Sequence, residues 1–310
     1  MIHDGRATFV RPTDRRMRLP IRKIQGEAIM IRTPPGWGAD MLSQIYRSAT
    51  TISPEQLAGM SRPVTIRQLE LDDLQLALRQ GMADFASSRT DVIVLCVVYP
   101  LLGLLLARFA SGHELLPLVF PLASGFALIG PLAGVGLEEM SRRREMGLSA
   151  TWGDAFGVVR SPAIGSIFLL GGILLGMFLF WLVLSNAVYD LTLGPQPPAS
   201  LSLFVQDVLH TPAGHAMAVV GIGAGFLFAV GAFVISVVSF PMLLDRNVAL
   251  ETAVRTSVAV VARNPVVMAA WAMVIAFGLL IGSLPLLLGL IVVLPVLGHA
   301  TWHLYRRAVA

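Results

Sequence analysis

Lysine is all but missing from this 310-residue chain: Lys23 is its only one, and the remaining basic charge is arginine. Charge of either sign is scarce, at 14% of residues, where soluble domains carry about a quarter. Polar residues are too few to cover a soluble fold of this size, and a mean hydropathy of +0.73 points to lipid as the medium facing much of the surface. The formal net charge of +4 is modest. Its arginines stand at the ends of apolar runs rather than in a block, which excludes a nucleic-acid footprint and fits membrane anchoring. The single cysteine, Cys96, lies inside an apolar run. It excludes an internal disulfide, and without a Cys/His zinc spacing no metal or cofactor is expected. The first thirty residues lack the apolar core of a cleavable signal peptide, and Met30 is a candidate alternative start.

What is present is a series of apolar runs separated by short amphipathic segments. Residues 1–52 scatter arginines among Pro and Gly and read as a poorly ordered basic extension. Residues 53–310 read as the membrane domain. Ser53-Pro54 and Thr65 with Gln68 are helix starts. Leu74, Leu78, Met82 and Phe85 then recur at helical spacing opposite Asp72, Arg79 and Asp84. Spans are expected at about residues 91–109, 115–137, 164–188, 216–244, 266–283 and 285–304, each long enough for a hydrocarbon core of about 30 Å. Thr151, Ser200 and Asn247 are N-caps of further amphipathic helices. The third of these helices would present Leu250, Val254, Val258 and Val261. The last span would leave the bilayer through an aromatic belt at Trp302 and Tyr305 and a basic anchor at Arg306 and Arg307.

The expected fold class is therefore all-α, a polytopic membrane bundle of six transmembrane helices. They group as three parallel-repeated hairpins, each preceded by a cytoplasmic amphipathic helix. The breakers Arg89-Thr90-Asp91, Arg160-Ser161-Pro162 and Arg263-Asn264-Pro265 mark the units, and Pro131, Pro241 and Pro295 fall late in each hairpin. Pro131, Gly134, Glu139, Arg142 and Arg143 align without a gap with Pro295, Gly298, His303, Arg306 and Arg307. Basic residues fill alternate connections, while Asp190 to His215 holds no lysine or arginine, so both termini are expected in the cytoplasm. Glycines four apart, Gly130/Gly134, Gly172/Gly176, Gly221/Gly225 and Gly278/Gly282, suggest close helix contact. The bundle is either compact throughout or leaves a lipid or solute path between hairpins.

Several segments carry a family resemblance. TDVIVLCVVYPLLGLLLARFA, LLPLVFPLASGFALIGPLAGVGLEEMSRRRE, WGDAFGVVRSPAIGSI, SVVSFPMLLDRNV and GSLPLLLGLIVVLPVLGHATWHLYRR, in this order, resemble the integral membrane proteins grouped as domain of unknown function 2189. The resemblance spans about residues 65–308. It implies a bacterial inner-membrane protein and brings no activity or site residues. More loosely, the chain is similar to other six-span families, including membrane domains attached to some glycerophosphodiester phosphodiesterases. That likeness is architectural.

Candidate site residues are few. His299 and His303 share a helical face at a spacing a metal or haem site can use, or they are interfacial groups beside Trp302 and Tyr305. Glu138 and Glu139 precede an arginine triplet. They either pair with Arg142 or Arg143 or form a proton or headgroup site. No catalytic motif is legible and no enzyme activity is expected. The functional classes that fit are an accessory, assembly or scaffold protein of a membrane complex, and a permease or lipid-handling protein. The partners expected are the lipid bilayer and a membrane-protein partner or a second copy.

Overall fold

The computed structural model describes residues 64–87, 113–285 and 287–310, all within the unit Met41–Ala310. The described residues are helical, with no strand among them. In chain order the helices are α1 (Leu71–Ser87), α2 (Val119–Glu145), α3 (Trp152–Ala155), α4 (Ile164–Thr192), α5 (Leu201–His210), α6 (Pro212–Ser236), α7 (Ser239–Asp245), α8 (Leu250–Arg263), α9 (Pro265–Ser283) and α10 (Leu290–Ala308). A 3₁₀ turn leads into α2 (His113–Leu118), and another follows α3 (Phe156–Arg160). The 1–52 extension, the Ser53-Pro54 start and the expected first span at 91–109 lie outside the described residues.

Among the described residues, four stretches are long and apolar enough to cross a membrane: Leu116–Glu145, Ile164–Thr192, Pro212–Asp245 and Pro265–Ser283. They match the expected second to fifth spans with longer ends, since helix continues wherever neighbours satisfy its backbone. The expected sixth span differs. Turns occupy much of the segment from Leu284 to Gly289, with Leu287 at a φ of 66°, and the helix begins only at Leu290. Its apolar part, Leu290 to Leu297, rises only about 12 Å. The rest of α10 is polar and packs inside the protein. The aromatic belt at Trp302 and Tyr305 is corrected accordingly: both rings are buried, and their polar atoms turn to Glu145 of α2 and Asp245 of α7.

Helices α2, α4 and α6 pack in sequence, and α10 sits between α1 and α2 with α9 beside it. Between the middles of α4 and α6, Trp181 is fully buried and stacks at a tilt on Phe228, with ring centroids 5.8 Å apart. Ser200 caps α5 by accepting from the Leu203 N–H at 3.2 Å, and Thr211 caps α6 by accepting from the Gly214 N–H at 2.9 Å.

Two helix starts move from their expected places. Residues ahead of α1 are extended because they pair with the C-terminus: Arg67 N–H donates to Ala308 C=O at 2.9 Å, and Ala310 N–H to Thr65 C=O at 2.9 Å. The helix therefore starts at Leu71 and not after Thr65. Helix α8 starts at Leu250 with Ala249, not Asn247, as its N-cap. Its buried face is also rotated from the apolar stripe: Ala253, Thr256, Ser257 and Val260 point inward, while Val258 is exposed. The reason is Ser257. Pro241 lacks an N–H and breaks the helix between α6 and α7. The Ser257 hydroxyl donates to Val234 C=O at 2.7 Å and accepts from Val238 N–H at 3.2 Å, satisfying the broken backbone.

The glycine pairs separate into two kinds. Gly130, Gly172, Gly176 and Gly221 have open space where a Cβ would stand, so the expected close contacts do not form there. One close approach was indicated by no glycine spacing. A Cβ on Gly81 of α1 would lie 2.7 Å from the Ala300 backbone nitrogen and 2.7 Å from the Val296 carbonyl oxygen of α10. Only glycine lets these two backbones meet.

Candidate functional site

Among the described residues, a cluster of polar side chains gathers where α1, α2, α7 and α10 meet. The organising group is Asp84, near the end of α1. The sequence pattern set it on the face opposite the apolar stripe, but the structure turns it inward. Its Oδ2 accepts from the Ser141 hydroxyl of α2 at 2.5 Å and from His303 Nε2 of α10 at 2.9 Å. Arg144 of α2 approaches its Oδ1 at 3.6 Å and donates to its backbone carbonyl at 2.6 Å. Burial by itself would raise the Asp84 carboxyl. The hydrogen bonds from His303 and Ser141, with the positive field of His303 and His299, outweigh it and hold Asp84 below its ordinary value.

His299 extends the chain one step deeper. It is buried, and its Nδ1 lies 2.8 Å from the Ser141 hydroxyl. A serine has one hydrogen to give. Since Ser141 gives it to Asp84, the histidine Nδ1–H is the donor to Ser141. The four side chains thus form a connected line, His303 to Asp84 to Ser141 to His299, built from three helices. Asp84 and Ser141, which complete it, were not singled out in the sequence. A carboxylate at a helical position otherwise exposed was the one available signal, and it is a common feature of solvated helix faces.

The C-terminal turns of α10 are tied on every side. Trp302 Nε1 donates to Glu145 at 2.9 Å, and Arg306 bridges Glu145 at 2.9 Å and Asp245 at 3.2 Å. The Tyr305 hydroxyl donates to Asp245 at 2.6 Å, and Arg307 pairs with Asp73 at 3.1 Å. The Trp302, Tyr305 and Arg307 bonds are charge-assisted and partly desolvated, whereas the Arg306 pairs are exposed and worth about 0–1 kcal/mol.

The five sequence candidates do not form one site. His299 and His303 share the Asp84 line. Glu139 and Arg142 stand apart, joined by two bonds of 2.7 and 2.9 Å. Glu138, about 100° around the helix from Glu139, is buried, and among the described residues it makes no arginine pair and its Oε2 has no hydrogen-bond partner. Among the described residues, no group of three or more His, Cys, Asp and Glu is arranged to hold a metal ion. Near Glu139, a cavity of about 400 Å³ opens between the end of α2 and the segment from α3 to the start of α4.

Comparison with known proteins adds one finding. No curated protein and no solved structure matches the chain. Residues 119–245, from the first residue of α2 to the last of α7, match the family model described as predicted integral membrane protein DUF2189.

Proposed function

We propose that this integral membrane protein serves as an accessory, assembly or scaffold component of a bacterial inner-membrane complex, without catalytic activity of its own. The observation that carries this reading is the disposition of its polar groups. Asp84, Ser141, His299, His303, Glu145, Asp245, Trp302, Tyr305 and Arg306 bond to one another across four helices. Among the described residues, none of them lines the cavities at the α2–α4 connection. The candidate spans meanwhile present apolar side chains such as Phe180, Val183, Val219 and Phe226 outward. A rigid polar end on an apolar body suits a membrane platform better than a moving transporter, whose pathway needs polar groups at membrane depth.

In this reading the chain crosses the bilayer as three parallel hairpins, the last of them closed by α10, which returns packed against α9 and α1 rather than as a free span. Arg142, Arg143, Arg144, Arg306 and Arg307 face the cytoplasm beside both termini, in keeping with the positive-inside rule. Native mass spectrometry of the protein, extracted in mild detergent after brief cross-linking in its membrane, tests the role. A second subunit in fixed stoichiometry is the expected result. A lone chain that carries a small solute, and whose reconstituted vesicles show flux of that solute, overturns it. The cavity beside Arg142 favours one element of the alternative, a lipid-handling protein, and it is taken up next.

A further inference from the structure

We propose that the cavity between the basic end of α2 and the α3–α4 connection is a binding site for the phosphate of an anionic phospholipid headgroup. The walls are built from Glu139, Arg142 and Arg143 of α2, Asp154 of α3, and Arg160 with Ser161 ahead of α4. Three guanidiniums face two carboxylates, so the space is net positive. The pairing within it is uneven. Arg142 is held by Glu139 at 2.7 Å. Arg143 is held by Asp154 at 2.9 Å, and Asp154 is in turn kept below its ordinary value by the Thr151 backbone N–H, the Thr151 hydroxyl and Arg143. These two pairs act as fixed walls. Arg160 is exposed and makes no ion pair among the described residues. It is the cation left to meet an incoming anion, with a planar fork suited to two phosphate oxygens.

Two further features select a lipid as the source of that phosphate. The cavity lies where one candidate span ends, at Glu145, and the next begins, at Ile164, which is the level of the headgroups. On either side of Gly157, Phe156 and Val159 are 62% and 50% exposed and line a smaller adjoining hollow that shares Arg160. An apolar side chain beside a guanidinium at this depth matches the acyl-to-headgroup boundary of a phospholipid. Gly153 and Gly157 line both hollows and leave the room that side chains would take.

The test uses the full chain in mild detergent, titrated with phosphatidylglycerol or phosphatidylcholine and read by native mass spectrometry. One phosphatidylglycerol is expected to bind at concentrations where phosphatidylcholine does not. Arg160→Gln should weaken it about fivefold, the effect of one cation near a membrane surface. Arg160→Lys should recover part of the loss by restoring charge without the fork. Arg255→Gln, which removes an exposed cation elsewhere, should leave binding unchanged. Equal binding of both lipids, wild-type affinity in Arg160→Gln, or an equal loss in Arg255→Gln overturns the site. Binding of inorganic phosphate that depends on Arg160, without binding of phosphatidylglycerol, assigns the cavity to free phosphate and overturns the lipid. Each outcome stands whether or not a partner subunit is found.

Discussion

Helices α6 and α10 both look like membrane spans in one dimension, and the structure treats them in opposite ways. Only 6% of the most apolar stretch of Pro212–Asp245 is buried within the protein, against 28% for α4. Helix α10 is held by α1, α2, α7 and α9 together. The first owes its helical state to length, apolarity and a medium that cannot hydrogen-bond its backbone. The second is fixed by specific side-chain partners, and its apolar part is too short to span alone. The lesson is that an apolar run followed by an aromatic and basic tail can be a membrane exit or an internal seam. What decides between them is whether another helix supplies complementary polar groups.

This contrast can be broken most strongly at Asp84. Asp84→Ala removes the acceptor shared by Ser141 and His303 and leaves Arg144 without its carboxylate, so unfolding in detergent should become easier by about 3 kcal/mol. A loss below about 1 kcal/mol would show that the polar line does not hold α1 to α10. Gly81→Val drives a side chain into the Ala300 and Val296 backbone, with an expected cost of about 2 kcal/mol and a loss of protection from proteolysis in α1. If α1 stays as protected as in the wild type, the helices are not in backbone contact.

Ser257→Ala leaves the break between α6 and α7 with an unpaired carbonyl and N–H, at about 1–2 kcal/mol. Wild-type stability there would mean that another group satisfies the break. Acidity gives a finer measure. Asp84 is held below its ordinary value when folded, so its stabilisation is complete above the unfolded carboxyl pKa of about 3.9 and is lost as pH falls through the folded value. The difference in melting temperature between wild type and Asp84→Asn should be constant from about pH 7 to 5 and shrink below about pH 4. A difference that persists undiminished at about pH 2 would remove the carboxylate from the account. The smallest effect belongs to α6: Val219→Ala, at a position 73% exposed, should change stability by less than about 0.5 kcal/mol. A larger cost would reveal a protein neighbour on that face.

Parts of the site were legible one element at a time. The i,i+3 spacing of Glu139 and Arg142 is enough for their pair, because both sit on one turn of one helix. The spacing of His299 and His303 placed them on one face of α10. Their partners could not be read, since Asp84 and Ser141 come from helices far away in sequence and carry no motif. Ser257 was hidden for the same reason: its task is set by a broken backbone in another segment.

Composition and hydropathy by themselves determined that the chain is helical, lipid-facing and basic at one end, because apolar length and charge placement are local properties. Capping at Ser200 and the breaks at Arg160-Ser161-Pro162 and Arg263-Asn264-Pro265 follow equally from local chemistry. Only the tertiary structure decided that α10 is a seam, that Asp84 faces inward, and that the backbones of α1 and α10 meet at Gly81. Those facts depend on which helices become neighbours, and that is settled by packing and hydrogen-bond satisfaction across the whole bundle.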